Sequence, residues 1–255
     1  MRLFAALIAL CCSPAFAGEG ATVHIEAGPL LRFYPVEGED RSVNVPAFDL
    51  DVDPVSNGEF REFVMSSPGW SRDRIARIFA DESYLIHWPT PTDTSGIDEQ
   101  PVTRVSWFAA RAYCEAKGKR LPTEVEWERA GQASATRKDA SSDPSRTAKL
   151  LSWYSRPATL PIGDVGSGTA NVWGVRDMHG MVWEWVEDFN SSFAASDSRA
   201  ADDGAVLRFC GSGSVSAADS SDYATFMRLA FRSSLQGAYT TRTLGFRCAT
   251  SPRSH

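Results

Sequence analysis

The feature that most limits the fold of this chain is the shortness of its regular segments. Only three stretches have the apolar periodicity of a helix, and start and stop signals confine each to a few turns. Two of them, SNGEFREFV and TEVEWERAG, begin with capping boxes, Ser56 with Glu59 and Thr123 with Glu126. A fold built from such short helices depends on packing between loops, for which 8 tryptophans and 14 phenylalanines supply large apolar groups.

The third predicted helix lies in SWFAARAYCEAKGK, between the cap Ser106 and the stop Gly118. Helical spacing places Ala110, Tyr113 and Cys114 on one inner stripe. This helix therefore carries a cysteine toward the core.

Two segments alternate as strands do. In FMRLAFR (226–232), Arg228 and Arg232 share one face, and in LGFRCA (244–249) Arg247 lies opposite the larger apolar residues. These arginines line a polar pocket wall or are solvated on an outer face, and the pattern leaves both open. Residues 132–148 and 190–204 are polar loops. The sequence thus predicts an α+β domain with low regular secondary structure and long loops.

The first residues predict export. Residues 1–17 have a basic start, an apolar core and a small-x-small cleavage signal ending at Ala17, as in a secretory signal peptide. Residues 18–255 then form one domain, periplasmic or secreted, with no membrane segment after cleavage. The alternative is an uncleaved anchor, which the short apolar run disfavours.

Cleavage would remove Cys11 and Cys12 and leave Cys114, Cys210 and Cys248. Three cysteines in an oxidising compartment imply one disulfide and one leftover thiol, and the residues alone do not say which pair. The loss of Arg2, the only charged residue removed, changes the formal charge from −6 to −7. This mild acidity argues against a nucleic-acid partner.

The sequence lacks the motifs of several kinds of catalytic centre. The sequence has no H-x-x-x-H pair, C-x-x-C, G-x-S-x-G elbow, P-loop or G-x-G-x-x-G. One carboxylate stands out, because Glu184 lies between two tryptophans in VWEWVED. Such a setting can raise a carboxyl pKa and create a general acid, whereas the alternative is a buried glutamate with its hydrogen bonds satisfied.

Four segments in the same order resemble formylglycine-generating enzymes, also called sulfatase-modifying factors. The first two, VNVPAFDLDVDPVSNGEFREFV (43–64) and QPVTRVSWFAARAYCEAKGKRLPTEVEWERAG (100–131), are similar to the N-terminal strand and helix and to the central signature. The others, NVWGVRDMHGMVWEW (171–185) and LGFRCA (244–249), are similar to the asparagine-glycine-tryptophan segment and the C-terminal end. The resemblance covers nearly all of 22–250. It implies a C-type-lectin-like α+β fold and a disulfide between Cys114 and Cys248.

The sequence departs from the family's pattern at the two positions of the copper-binding cysteines. Those enzymes bind copper(I) through two cysteines and oxidise a substrate cysteine with oxygen, but a gapless count places Asp219 and Ala224 at these positions. Neither supplies the thiolate that copper(I) prefers, so we expect no formylglycine generation. Cys210 lies nine residues earlier and is either a weak copper ligand, a former of mixed disulfides or a buried inert thiol.

The family's calcium site predicts calcium ligands in the N-x-x-G segment. Asn171, with the carbonyls of Val172 and Gly174, offers hard oxygen atoms.

These observations predict an accessory or maturation factor that recognises another periplasmic protein, with a copper nitrite reductase as one candidate. The partner-binding candidates are Ser212, Ser214, Tyr223, Arg228 and Arg232. Arginine suits this role because its planar fork donates to carboxylates and peptide carbonyls. One alternative is an oxidoreductase acting on a small molecule, with Cys210, Asp219 or Glu184 as the catalytic candidates. Another is a calcium-dependent lectin-like module.

Overall fold

A computed structural model describes residues 20–32, 40–159, 161–190 and 220–251. The strands are β1 (Thr22–Ile25), β2 (Gly28–Leu31), β3 (Ser42–Val45), β4 (Phe48–Asp51), β5 (Trp183–Glu184), β6 (Leu244–Gly245) and β7 (Ala249–Thr250). The helices are α1 (Asn57–Ser66), α2 (Trp107–Ala116), α3 (Glu124–Gly131), α4 (Pro144–Tyr154) and α5 (Ser220–Ser233), with a 3-10 turn at Pro68–Trp70. The predicted mixed α+β fold with few regular elements is confirmed.

Three small sheets connect distant parts of the chain. Strand β4 lies between β1 and β7, antiparallel to both, so the N-terminal and C-terminal segments share one sheet. Strands β2 and β3 form a separate antiparallel pair, and β5 pairs with β6 in parallel. The short C-terminal segment therefore contributes to two sheets at once.

The predicted helix starts are confirmed. Ser56 and Thr123 form the expected capping boxes with Glu59 and Glu126, and Ser106 caps α2. Each cap satisfies backbone N–H groups that have no partner inside the helix.

Aromatic packing joins the first two helices to the C-terminal segment. The ring of Phe60 stacks on Tyr113 with centroids 5.8 Å apart and meets Phe246 edge-on at 6.0 Å. Phe63 and Trp88 complete the cluster. All of these side chains are buried, so α1, α2 and the 244–249 segment share one core.

The strand prediction for 226–232 is wrong, because this segment belongs to helix α5. Ala224, Arg228 and Arg232 are all buried, and their spacing of four residues places them on one helical face. Seven residues are too few to distinguish the two-residue period of a strand from the 3.6-residue period of a helix. Here a buried carboxylate that binds both arginines favours the helix.

Two further predictions need correction. The predicted loop 132–148 contains the start of α4, where Asp143 caps the helix and Pro144 occupies its first turn. In 244–249 every residue is buried, so no face of this segment is solvated. Only its two ends are strands, each in a different sheet.

A disulfide joins Cys114 of α2 to Cys248 beside β7, across a sequence separation of 134 residues. None of the helices in the described ranges has the length and apolar composition needed to cross a membrane.

Removing the disulfide should lower the free energy of unfolding because it constrains a very long loop in the unfolded chain. The chain-entropy model gives about 4–5 kcal/mol for a loop of this size. Urea unfolding of a Cys114→Ala/Cys248→Ala variant measures this loss. Wild-type protein unfolded with a reducing agent is the matched control, and equal stability of oxidised and reduced protein would contradict the prediction.

Candidate functional site

A fully buried ion pair lies at the centre of the molecule. Arg247 Nε and Nη2 donate to Glu184 at 2.8–3.1 Å, and both side chains are 0% exposed. Trp127 Nε1 also donates to Glu184 at 2.7 Å. The carboxylate is therefore satisfied, as in the buried alternative for Glu184, and it is not a free general base. Arg247 lies neither on a pocket wall nor on an outer face.

A second buried cluster holds helix α5. Arg228 donates to both oxygens of Glu128, at 3.1 and 2.7 Å, and Arg232 donates to the same carboxylate at 2.9 Å. Arg228 also donates to the hydroxyl of Tyr154 on α4 at 2.9 Å. Both guanidinium groups are about 4–5% exposed. They therefore position α5 against α3 and α4 and do not project into solvent.

The charges in this cluster stabilise one another. Burial alone raises the pKa of Glu128, but Arg228 and Arg232 outweigh it and lower that pKa to about 2. Burial alone lowers the pKa of Arg228, and the attraction of Glu128 and Tyr154 reverses this and raises it above its ordinary value. Glu128 is thus an ion-pair partner in its charged form.

A histidine and a third arginine border this cluster. His179 Nε2 lies 2.9 Å from the carbonyl oxygen of Gly131 and 3.1 Å from Arg146 Nη2. Burial, together with the charges of Arg146 and Arg228, places the pKa of His179 well below its ordinary value. The ring is therefore neutral at physiological pH.

Four half-buried aromatic side chains form a surface beside α5, which we name the aromatic wall: Trp153, Tyr154, Trp183 and Phe231. The Trp183 ring centroid lies 4.6–5.0 Å from those of the other three. Tyr223 on α5 is 43% exposed. A wall of this kind gives apolar contact area to a ligand or partner without new side-chain ordering.

The site residues that the sequence predicts beside α5 divide into those outside the described residues and those that the structure places. Cys210, Ser212, Ser214 and Asp219 lie outside the described residues. Ala224 is 1% exposed on the inner face of α5, where Arg228 Nη1 donates to its carbonyl oxygen at 3.3 Å.

The proposed calcium loop uses its amide for backbone contacts. The Asn171 side-chain oxygen accepts from the N–H groups of Trp173 and Val175, at 3.0 and 3.2 Å, so it does not fit a cation in this conformation. Val172 is 42% exposed and Gly174 has a positive φ. In the part of the chain that the structure describes, no three His, Cys, Asp or Glu side chains are grouped to hold a metal. Calcium stays a prediction, and nothing below depends on it.

Sequence reasoning missed Glu128 and the aromatic wall. Glu128 lies inside the segment that predicted α3, but its partners follow 100 and 104 residues later. No local pattern signals that pairing. The aromatic wall draws on three separate segments for the same reason.

The family model of the sulfatase-modifying factor enzyme 1-like domain matches residues 14–252. Inactive C-alpha-formylglycine-generating enzyme 2 of Bos taurus is 32% identical, covering 91% of this chain and 89% of that protein. Formylglycine-generating enzyme of Streptomyces coelicolor is 30% identical over 85% of this chain and 82% of its own length. Hercynine oxygenase of Mycobacterium tuberculosis is 35% identical over 56% of this chain, which spans 38% of that protein.

Two solved structures show the same fold. PvdO from Pseudomonas aeruginosa has a TM-score of 0.50 at 18% identity, covering 91% of this chain and 94% of that one. Treponema denticola variable protein 1 has a TM-score of 0.51 at 16% identity, covering 91% and 95%. At these identities the likeness concerns the fold alone.

Replacing Arg247 with methionine should destabilise the fold by about 3–5 kcal/mol, because Glu184 would remain buried and uncompensated. A double variant, Arg247→Met/Glu184→Leu, should recover part of that loss since no charge is left behind. Urea unfolding of the three proteins measures both effects. A double variant no more stable than the single one would contradict this explanation.

The low pKa of Glu128 predicts an acid-sensitive contribution to stability. Its folded pKa of about 2 lies below the ordinary 4.5, so the stabilisation is complete above pH 4.5 and is lost as pH falls toward 2. In Glu128→Gln, stability at neutral pH should be lower and its loss across this window smaller. Glu115→Gln, at a carboxylate 57% exposed, is the control, and it should retain the wild-type slope. Equal slopes in wild type and Glu128→Gln would contradict the prediction.

Proposed function

This chain belongs to the sulfatase-modifying factor enzyme 1-like domain family, and we propose that it is an exported, non-catalytic accessory factor that recognises a partner protein beside helix α5. Its similarity to an inactive formylglycine-generating enzyme over nine tenths of the chain fits an accessory or non-catalytic role. The partner, the compartment and the recognition surface are the parts that we propose.

The observation that carries the proposal is the position of Ala224. The family resemblance places this residue where the active enzymes have one of their copper-binding cysteines. Its methyl group is buried on the inner face of α5, one turn before the Arg228–Glu128 pair. A copper(I) thiolate pair needs sulfur at this point, and alanine has no ligand atom.

The aromatic wall supports recognition of a protein. Aromatic side chains are enriched at the centres of interfaces because they bury large area at little entropic cost. Here Trp153, Trp183 and Phe231 are half-buried, and Tyr223 projects further into solvent. Arg228 and Arg232, predicted as direct contacts, act in this proposal by positioning α5.

Two features support the compartment that we propose. A predicted signal peptide occupies residues 1–17, and the Cys114–Cys248 disulfide is of the type that persists in oxidising compartments. The partner is accordingly another periplasmic or secreted protein, and a copper nitrite reductase is the first one to test.

A second candidate is a small-molecule oxidoreductase. The match to hercynine oxygenase favours it, although this chain spans only 38% of that protein. Glu184 does not serve as its base, because Arg247 and Trp127 already occupy both carboxylate oxygens.

The non-catalytic part of the proposal can be tested directly. Incubation with a cysteine-containing sulfatase peptide, copper and oxygen should give no formylglycine by mass spectrometry, whereas the Streptomyces coelicolor relative serves as an active control. Conversion of the peptide by this protein would overturn the non-catalytic part.

The recognition surface is tested by placing a photo-crosslinking amino acid at Tyr223, in cells that export the protein. One discrete adduct should form there. The same group at Tyr239, which is 37% exposed and lies after α5, is the matched control and should give no such adduct. Absence of an adduct at Tyr223, or equal adducts at both positions, would contradict partner recognition beside α5.

A further inference from the structure

The segments that form most of the aromatic wall have a charge opposite to that of the whole chain. The chain has 32 acidic and 26 basic residues, yet residues 144–163 and 223–251 contain no aspartate or glutamate. These two segments supply Trp153, Tyr154 and Phe231 of the wall. Helix α5 has one carboxylate, Asp222, which lies in its first turn, nine residues before Phe231. The wall is thus formed mainly by basic segments of an acidic protein.

Some of the basic groups in these segments have no opposite charge beside them. The three buried arginines are neutralised by Glu128 and Glu184. In contrast, Lys149, Arg156 and Arg242 are exposed, and none of them forms an ion pair with a carboxylate in the described ranges. These three cations are therefore available to a charged partner.

Helical spacing places two of the cations on either side of Trp153. Lys149 precedes Trp153 by four residues and Arg156 follows it by three, and residues at these spacings are neighbours on one helical face. Helix α4 ends at Tyr154, but Ser155 keeps a helical backbone and Arg156 N donates to the carbonyl oxygen of Trp153 at 3.0 Å. Exposed cations therefore border the α4 side of the wall.

Hydrogen bonds bring the third cation to the same surface. Trp183 N donates to the carbonyl oxygen of Thr243 at 2.7 Å, so Arg242 directly precedes the residue that is bonded to Trp183. Arg242 Nη2 donates to the carbonyl oxygen of Thr159, three residues after Arg156, at 3.2 Å. A guanidinium group has five N–H donors, so this bond leaves others for a carboxylate. Arg242 thus borders the wall between strand β5 and the segment after α4.

We propose that the aromatic wall and these three cations bind an acidic segment of the partner protein, in which aspartate or glutamate flanks a large apolar side chain. This inference rests on the proposed function and specifies the chemistry of the partner. The half-buried rings give contact area to the apolar side chain, while the cations attract the carboxylates. The acidic excess in the rest of the chain repels such a segment from other faces.

Fluorescence anisotropy of the exported protein with a labelled peptide, in which glutamates flank two phenylalanines, tests this chemistry. The peptide should bind at low salt and bind more weakly as salt is added, because about 0.1 M salt screens exposed charges beyond roughly 10 Å. One control peptide has lysine in place of glutamate, and another has alanine in place of phenylalanine. Each should bind about tenfold more weakly or less. Absence of binding, or equal binding of the acidic and basic peptides, would overturn the proposal.

The decisive variant is Lys149→Gln/Arg156→Gln. Neither side chain makes a hydrogen bond or an ion pair within the described ranges, so the melting temperature should be unchanged. Loss of two exposed charges should weaken binding of the acidic peptide about three- to tenfold at low salt and reduce its salt dependence. The matched control, Arg74→Gln/Arg77→Gln, removes two exposed arginines from another segment and should bind as wild type does. Wild-type affinity in the first variant, or an equal loss in the control, would contradict the proposed surface.

The crosslinking group at Tyr223 separates this inference from the proposed function. In a Lys149→Glu/Arg156→Glu background, the adduct that the wild type forms should be lost. An adduct that persists at wild-type yield would refute the acidic preference and leave recognition beside α5 intact. An adduct with twice the mass of this chain would identify a second copy as the occupant and would also refute it. If the wild type forms no adduct, the proposed function fails, and the peptide titration still decides the acidic preference.

Discussion

The ion pair between Arg247 and Glu184 is the interaction on which the rest of the structure depends. Besides binding Glu184, the guanidinium group donates to the carbonyl oxygens of Asp51, Val52 and Arg176 at 2.9–3.1 Å. It thereby joins the end of β4, the loop after Asn171 and strand β5 to the C-terminal segment. A fully buried ion pair is stable only when all of its donors and acceptors are satisfied. The segments that supply these partners must therefore all be in place for the pair to be stable. The neighbouring Cys248 extends the connection to α2 through the disulfide.

Helix α3 connects this ion pair to α5. The Trp127 indole nitrogen binds Glu184, while the Arg232 guanidinium lies over its ring, 4.4 Å from the centroid. The next residue, Glu128, accepts from both Arg228 and Arg232. Consecutive residues of one short helix thus connect the central ion pair to the element that carries Ala224. An α5 held in this way keeps its buried face fixed, and the surface that we propose for recognition is the aromatic wall beside it. Beside α5 the arginines are buried and neutralised by Glu128, so the recognition that we propose there relies on the half-buried aromatic area of the wall and not on the charges of these two arginines.

The sequence by itself determined the elements whose signals are local. Ser56, Ser106 and Thr123 mark helix starts because a cap and its target N–H lie within three residues of each other. The ordered motifs also determined the family and the loop-rich α+β architecture. One prediction that depended on a distant partner was wrong: alternation made 226–232 a strand, whereas Glu128, 100 residues earlier, stabilises a helix with both arginines on one face. The partner of Glu184 and the aromatic wall were decided only by the tertiary structure, because burial and charge pairing between segments far apart in sequence leave no periodic trace.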